Sequence, residues 1–225
     1  MSDPEARPSE VHDFRDILSN PIGGELPLLV GGHAVNLWAL IYRQRIGTNL
    51  DKWLPLTSKD LDLFGTLTLL DEMKKRFGGE YRLSGPRSPV VGQLVVMLDG
   101  KKLRIDVLRE VVGLRRQDLE QEADTVEIMV SGETYEVRVL PALSLLQAKI
   151  ANLATLDQQN RNDFKHVHLM LLVAREYLSM MIEAVDSGTV GSRPVIDRLE
   201  QTLRIANSRD AATCTTQYDV SFTSI

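Results

Sequence analysis

The chain reads as an α+β protein: a mixed β-sheet flanked by helices, followed by a helical C-terminal half. Three observations predict this class. Short apolar runs alternate with helically spaced segments between Leu26 and Phe77. Two hairpin signals then follow one another through the middle of the chain. From Pro141 onward, apolar residues recur at three- and four-residue steps.

The elements follow in order. After a polar leader, Met1 to Glu10, the stretch Val11 to Ser19 has weak helical spacing. Leu26 to Val30 suits a buried strand that ends at Gly31-Gly32. From His33, Ala34, Leu37, Trp38 and Ile41 mark one face of a helix. Gly47 to Thr57 is expected to be loop. Asp60 to Phe64 reads as a strand, and Leu67 to Phe77 as an amphipathic helix closed by Gly78-Gly79. Val90–Leu98 and Lys101–Leu108 flank Asp99-Gly100, the dipeptide best suited to a two-residue type I′ hairpin. A second hairpin is expected at Ser131-Gly132, between Val126–Val130 and Thr134–Leu140. Pro141 opens a helix where its missing N–H costs little. Helix is expected from there to about Tyr177, broken near Asp157–Asn160, and again over Pro194 to Ile205. The expected domains are an α/β core over 1–140, a helical region over 141–207 and a weakly ordered, flexible tail over 208–225.

Composition narrows the classes. A net charge of −5 over 225 residues argues against a chain that coats nucleic acid with its whole surface, but leaves room for a local basic groove. Cys214 is the sole cysteine, so an internal disulfide and a cysteine-rich zinc site are excluded. The N-terminus lacks the pattern of a signal peptide, and no apolar run reaches the roughly 20 residues that span a bilayer. The expectation is a cytoplasmic protein without membrane contact.

The chemistry starts with carboxylates. Residues two apart on a strand share a face, so Asp60 and Asp62 project together while Leu61 and Leu63 enter the core. The same alternation in Leu103 to Leu108 turns Asp106 away from the core. If the two strands pair, three carboxylates converge. Hard oxygen ligands of this kind select Mg²⁺ or Mn²⁺, and two such ions roughly 4 Å apart clamp an in-line displacement at phosphorus. The plain reading of each acid alone is a solvated aspartate on an amphipathic strand. Leu28-Leu29-Val30-Gly31-Gly32-His33-Ala34 adds a strand, a glycine pair and a helix start. Glycine lets backbone approach a phosphate, and helix N-terminal amides favour an anion, although a tight strand-to-helix turn explains the same residues.

Together, Gly31-Gly32, Asp60-Leu61-Asp62 and Asp106 resemble the DNA polymerase β-like nucleotidyltransferase superfamily, in order and in spacing. The flanks, with Thr57-Ser58-Lys59 before the aspartates, are similar to AbiEii-type and related minimal nucleotidyltransferases of bacterial toxin–antitoxin and phage-defence systems. Lys149 matches a helical lysine of that group, and Arg161-Asn162-Asp163-Phe164-Lys165 loosely matches its basic-acidic cluster. The resemblance covers roughly Leu26 to Leu172, and the loop from Gly47 to Thr57 is longer than the family leads one to expect.

The resemblance implies a nucleotidyltransferase-like fold that moves NMP from an NTP. Asp60, Asp62 and Asp106 would be catalytic and hold Mg²⁺ or Mn²⁺, with Asp106 helping to activate the attacking hydroxyl. Gly31, Gly32, Ser58 and Lys149 would bind the nucleotide. For Ser58 the bond to a phosphate oxygen is preferred over merely satisfying its loop backbone, while Lys149 serves equally as a solvated lysine. Arg161 and Lys165 form either a basic wall or an exposed helix start, and Asp163 complements a helix dipole. His33 is read as a helix-start residue, and His166 and His168 point to different helix faces. Expected partners are an NTP, an acceptor such as tRNA, another protein or a small molecule, and either a second copy of the chain or an antitoxin. The competing class is a catalytically silent binding or antitoxin subunit. A phosphohydrolase is a third reading, but no histidine lies near these acids in sequence.

Overall fold

A computed structural model describes residues 8–130, 132–223 and 225. In chain order the elements are α1 (Arg15–Leu18), β1 (Leu28–Val30), α2 (Gly31–Ile41), α3 (Arg43–Ile46), β2 (Leu61–Phe64), α4 (Leu67–Phe77), β3 (Glu80–Leu83), β4 (Val90–Leu98) and β5 (Lys101–Leu108). They continue with α5 (Arg116–Gln121), β6 (Asp124–Val130), β7 (Glu133–Val139), α6 (Ala142–Thr155), α7 (Asp163–Asp186), α8 (Ser192–Ala206) and α9 (Arg209–Tyr218). Short 3₁₀ turns occupy Val11–Phe14 and Gly47–Trp53. The fold is therefore mixed, with one seven-stranded sheet and a helical C-terminal half. No helix among the described residues is long and apolar enough to cross a membrane.

The strands lie in the order β3-β4-β5-β2-β1-β7-β6. β2 runs antiparallel to β1 and parallel to β5, and β1 pairs in parallel with β7. The sheet's centre is thus made of strands far apart in sequence, while its margins are hairpins. Asp99 and Gly100 close the β4–β5 hairpin with φ of 48° and 73°, the two positive values that a type I′ turn requires. β6 and β7 pair as the second hairpin, whose expected turn residue Ser131 lies outside the described residues, as do residues 1–7 of the leader.

The chain forms two compact units. One runs to Leu37 and resumes over Pro55–Pro141; the other is Trp38–Leu54 with Ala142–Ile225. In the first, Leu29, Leu61, Leu63, Leu94, Ile105 and Val107 bury one face of the sheet, and α4 contacts β4 and β5. In the second, α6 packs on α7 and α9, while α7 also meets α3, α8 and the 3₁₀ turn. Leu169, Met170, Val173, Ala174 and Leu178 of α7 are buried; Met180 and Ile182 of the same helix are exposed.

Three departures from the sequence reading have physical causes. The stretch expected as a flexible tail contains α9. Ser208 caps it by accepting from the Ala211 N–H at 3.1 Å, and Ala211, Cys214 and Val220 are buried. The Cys214 thiol lies 3.5 Å from the Ile150 carbonyl oxygen. The expected loop from Gly47 is a 3₁₀ helix anchored by buried Leu50. β3 is exposed at all four positions, so nothing in its hydrophobic pattern announces it; backbone pairing with β4 forms it.

Ser208→Ala removes the α9 cap and is expected to lower the free energy of unfolding by about 1 kcal/mol. Urea denaturation of the purified chain measures this, and an unchanged midpoint would mean that the cap contributes nothing.

Candidate active site

Alternation on two strands places the acids. Leu61 and Leu63 are fully buried on one face of β2, which turns Asp62 to the other; Asp60 sits at the bend just before the strand. On β5, Leu103, Ile105 and Val107 take the core side, leaving Arg104 and Asp106 on the opposite one. The parallel register sets Asp62 directly beside Asp106, and the antiparallel register of β4 sets Gln93 on the other flank of Asp106. On the remaining side of Asp62 lies Val30, the last residue of β1. The sheet therefore joins Gly31-Gly32, Asp62 and Asp106 into one row.

Gly31 is fixed twice over. Its φ of 68° lies in the left-handed region, and a Cβ built there would overlap the Asp62 carboxylate. The Gly32 N–H, in the first turn of α2, points to Asp62 Oδ2 at 3.4 Å. The helix start is thus laid against the carboxylate that β2 supplies, where the positive end of the helix favours negative charge.

One cation stands among the acids. Arg104 forms an ion pair with Asp60, and that bond, together with the charges of Asp106 and Asp62, pushes its affinity for its proton up. Burial and the nearby Asp60 charge push the Asp106 carboxyl up to about 6. Gln93 Nε2 donates to Asp106 Oδ2 at 3.4 Å. Asp106 Oδ1 is buried and has no hydrogen-bond partner among the described residues. An orphaned carboxylate oxygen beside a second carboxylate suits a hard divalent cation. No three His, Cys, Asp or Glu side chains among the described residues already surround one point as a metal site does. The donor chemistry fits Mg²⁺ or Mn²⁺, provided Arg104 leaves Asp60 so that all three acids can turn to the ion.

The other residues named from sequence fall as follows. Ser58 exchanges backbone hydrogen bonds with Ser9, N to O at 2.8 and 3.0 Å. Its own hydroxyl makes no hydrogen bond among the described residues. His33 is buried, 3.3 Å from Ser9 Oγ and edge-on to Phe14, and burial pulls its pKa down to about 4, so the ring is neutral. In the second unit Lys149 is only 5 % exposed, with its ammonium 3.4 Å from Asp163. Arg161 meets the same carboxylate at 2.5 Å. Lys149 is therefore no solvated lysine; its ammonium is committed to a buried carboxylate, an arrangement in which removing one partner is costly. His168 stacks on Trp53 with Phe164 edge-on, and His166 is buried. Arg104 and Gln93 are the site residues that sequence reasoning missed. The signal for Arg104 was present, since it stands two positions before Asp106 and so shares its face. Gln93 depends on hairpin register.

Two outcomes are expected. Gly31→Ala should destabilise the chain by about 2 kcal/mol or more, because positive φ and the overlap with Asp62 act together. The additional Asp62→Gly change should return part of that loss in chemical denaturation. In chelator-containing buffer, Asp106 should make stability fall as pH rises from about 4 to about 6. Across that window the folded chain keeps a proton that the unfolded chain releases, so the contribution is complete below it and lost above it. The size is on the order of 2 kcal/mol after allowance for solvent screening, and Asp106→Asn should flatten the slope.

No family model matches the sequence, and no curated protein matches it. Among solved structures, the chain is similar to the crystal structure of an antigenic nucleotidyltransferase-like protein from Paracoccidioides brasiliensis, at 12% sequence identity and a TM-score of 0.43, over 95% of this chain and 100% of that one.

Proposed function

We propose that the chain is a metal-dependent nucleotidyltransferase that moves NMP from an NTP to a hydroxyl of an RNA, a protein or a small molecule. The observation that carries this reading is the row across three adjacent strands: Gly31-Gly32 at a helix start, Asp62 beside it, and Asp106 in register beside Asp62. Asp60, at the mouth of β2, completes the set of oxygen donors.

Each residue has a task in that chemistry. Asp60, Asp62 and Asp106 would hold Mg²⁺ or Mn²⁺, which when bound neutralises charge on the triphosphate. Amides at the start of α2 would face phosphate oxygens, with Gly31 allowing backbone to come close. Asp106 Oδ1 makes no hydrogen bond among the described residues, which leaves it open to the proton of an attacking hydroxyl. Gln93 would keep Oδ2 oriented meanwhile. The Ser58 hydroxyl, two residues before Asp60, would be available to a phosphate oxygen.

A second reading has its own support. Arg104 already neutralises Asp60, and a chain that kept this pair would retain the fold as a catalytically silent binding or antitoxin subunit. Transfer assays separate the two. Purified protein with Mg²⁺, each labelled NTP, and total tRNA or cell extract should give labelled acceptor, and the label's destination reports any toxin or phage-defence role. Asp60→Ala and Asp106→Asn should each lower transfer by about 10²-fold or more. Absence of label on every acceptor, with no heat of Mn²⁺ or NTP binding, would overturn the enzyme reading in favour of the silent one.

A further inference from the structure

Asp60 and Arg104 meet because of strand register. Leu61 lies beside Ile105 across the parallel pair β2–β5, so one residue back Asp60 comes level with Arg104. Leu103 and Ile105 enter the core, which turns Arg104 to the face that carries Asp62 and Asp106. Its guanidinium forms the ion pair with Asp60, and Arg104 Nε and Asp60 Oδ1 are both cut off from solvent. The rest of the group is within reach of solvent: the Arg104 side chain is 36% exposed and that of Asp60 21%. Arg104 also feels the charges of Asp62 and Asp106, so one cation serves three acids.

We propose that Arg104 holds the place of the divalent cation and, once released from Asp60, becomes a ligand of the substrate's triphosphate. This rests on the reading of Asp60, Asp62 and Asp106 as metal donors. Asp60 cannot give one oxygen to a guanidinium and to a metal ion together, so the two cations compete for it. Without an ion, Arg104 relieves the repulsion among the carboxylates; with an ion, that task is taken over and the guanidinium is set free.

An arginine suits both positions. Its guanidinium stays charged, carries five donors, and matches a carboxylate or a phosphate with the same planar fork. Release from Asp60 therefore does not leave a charge without a partner, because phosphate oxygens take the carboxylate's part. Placement in the sheet agrees. β2, with Asp62, lies between β5, with Arg104, and β1, which ends at the Gly31-Gly32 turn. The Gly32 N–H points to Asp62 from one side, and Arg104 stands on the other. Donors for phosphate oxygens thus flank the acids on both sides. The exchange also couples the two ligands. A triphosphate that engages Arg104 leaves Asp60 to the ion, and an ion on Asp60 leaves Arg104 to the triphosphate.

Two changes of affinity, opposite in sign, test this. In calorimetry of the full chain with Mn²⁺ alone, Arg104→Gln should bind the ion about tenfold more tightly than the unaltered chain. With Mn²⁺ saturating, the Mn²⁺ complex of inorganic tripolyphosphate should bind Arg104→Gln about tenfold more weakly. Arg104→Lys keeps the charge, so its Mn²⁺ affinity should stay near that of the unaltered chain. Lys101→Gln, which removes a cation of the same strand that pairs with Asp13, should change neither affinity. Thermal unfolding checks that each variant is folded. In the unaltered chain, added Mg²⁺ should move the Arg104 Nε–H resonance and leave that of Arg109 in place. Mn²⁺ binding no tighter in folded Arg104→Gln, tripolyphosphate binding indifferent to position 104, or an Arg104 resonance unmoved by Mg²⁺ would each overturn the proposal. A chain that transfers no label yet shows both changes loses the enzyme reading and keeps this one. A chain that transfers label while Arg104→Gln leaves Mn²⁺ affinity unchanged does the reverse.

Discussion

Carboxylates on neighbouring strands repel, and in this chain the sheet leaves Asp62 and Asp106 no choice but to be neighbours, because they are register partners. Everything around them answers that repulsion. Arg104 reaches Asp60, Gln93 donates to Asp106, and the Gly32 amide turns toward Asp62. Even so, one buried oxygen of Asp106 has no hydrogen-bond partner among the described residues, and the carboxyl clings to its proton at a pH where an ordinary aspartate has lost it. A fold built only for stability would place a smaller or apolar side chain there.

How much of this was legible follows from the range of the interactions. The period-two pattern of Leu61 to Phe64 and Leu103 to Leu108 was enough to turn Asp62 and Asp106 to the same side, and Asp99-Gly100 announced its turn. Pairing between the strands was not legible, because nothing local distinguishes β5 beside β2 from β5 elsewhere. Arg104 was overlooked because charge on an amphipathic strand reads as solvation until a partner is seen. α9 was missed because Thr and Ser are weak helix formers and its alanines, though good ones, mark no large apolar face; burial of Ala211 and Cys214 within the unit decides the matter. Lys149 went the other way: its helical context was clear, but its commitment to Asp163 depends on the start of α7.

Arginine occupies two opposite situations within one unit. Arg104 is saturated with acid and neutralises what the strands bring together. Arg109, in the same unit, donates Nη1 to the Pro86 carbonyl and keeps a buried Nε without a hydrogen-bond partner among the described residues.

The position of β1 has a consequence for how the molecule comes into being. This strand of three residues is emitted early, yet its partner on one side is β2 and on the other is β7, joined through Leu29 and Val139. During synthesis β1 can pair with β2 on one side, but its other flank stays open until the last strand of that unit has left the ribosome. Closing so long a stretch of chain is slow compared with zipping a hairpin. The margins, β4 with β5 and β6 with β7, are then free to form first, and the middle of the sheet is the last place to acquire its neighbours. The row Gly31-Gly32, Asp62 and Asp106 is therefore complete only once β5 has docked beside β2, and a nascent chain cannot complete it before Leu108 has emerged.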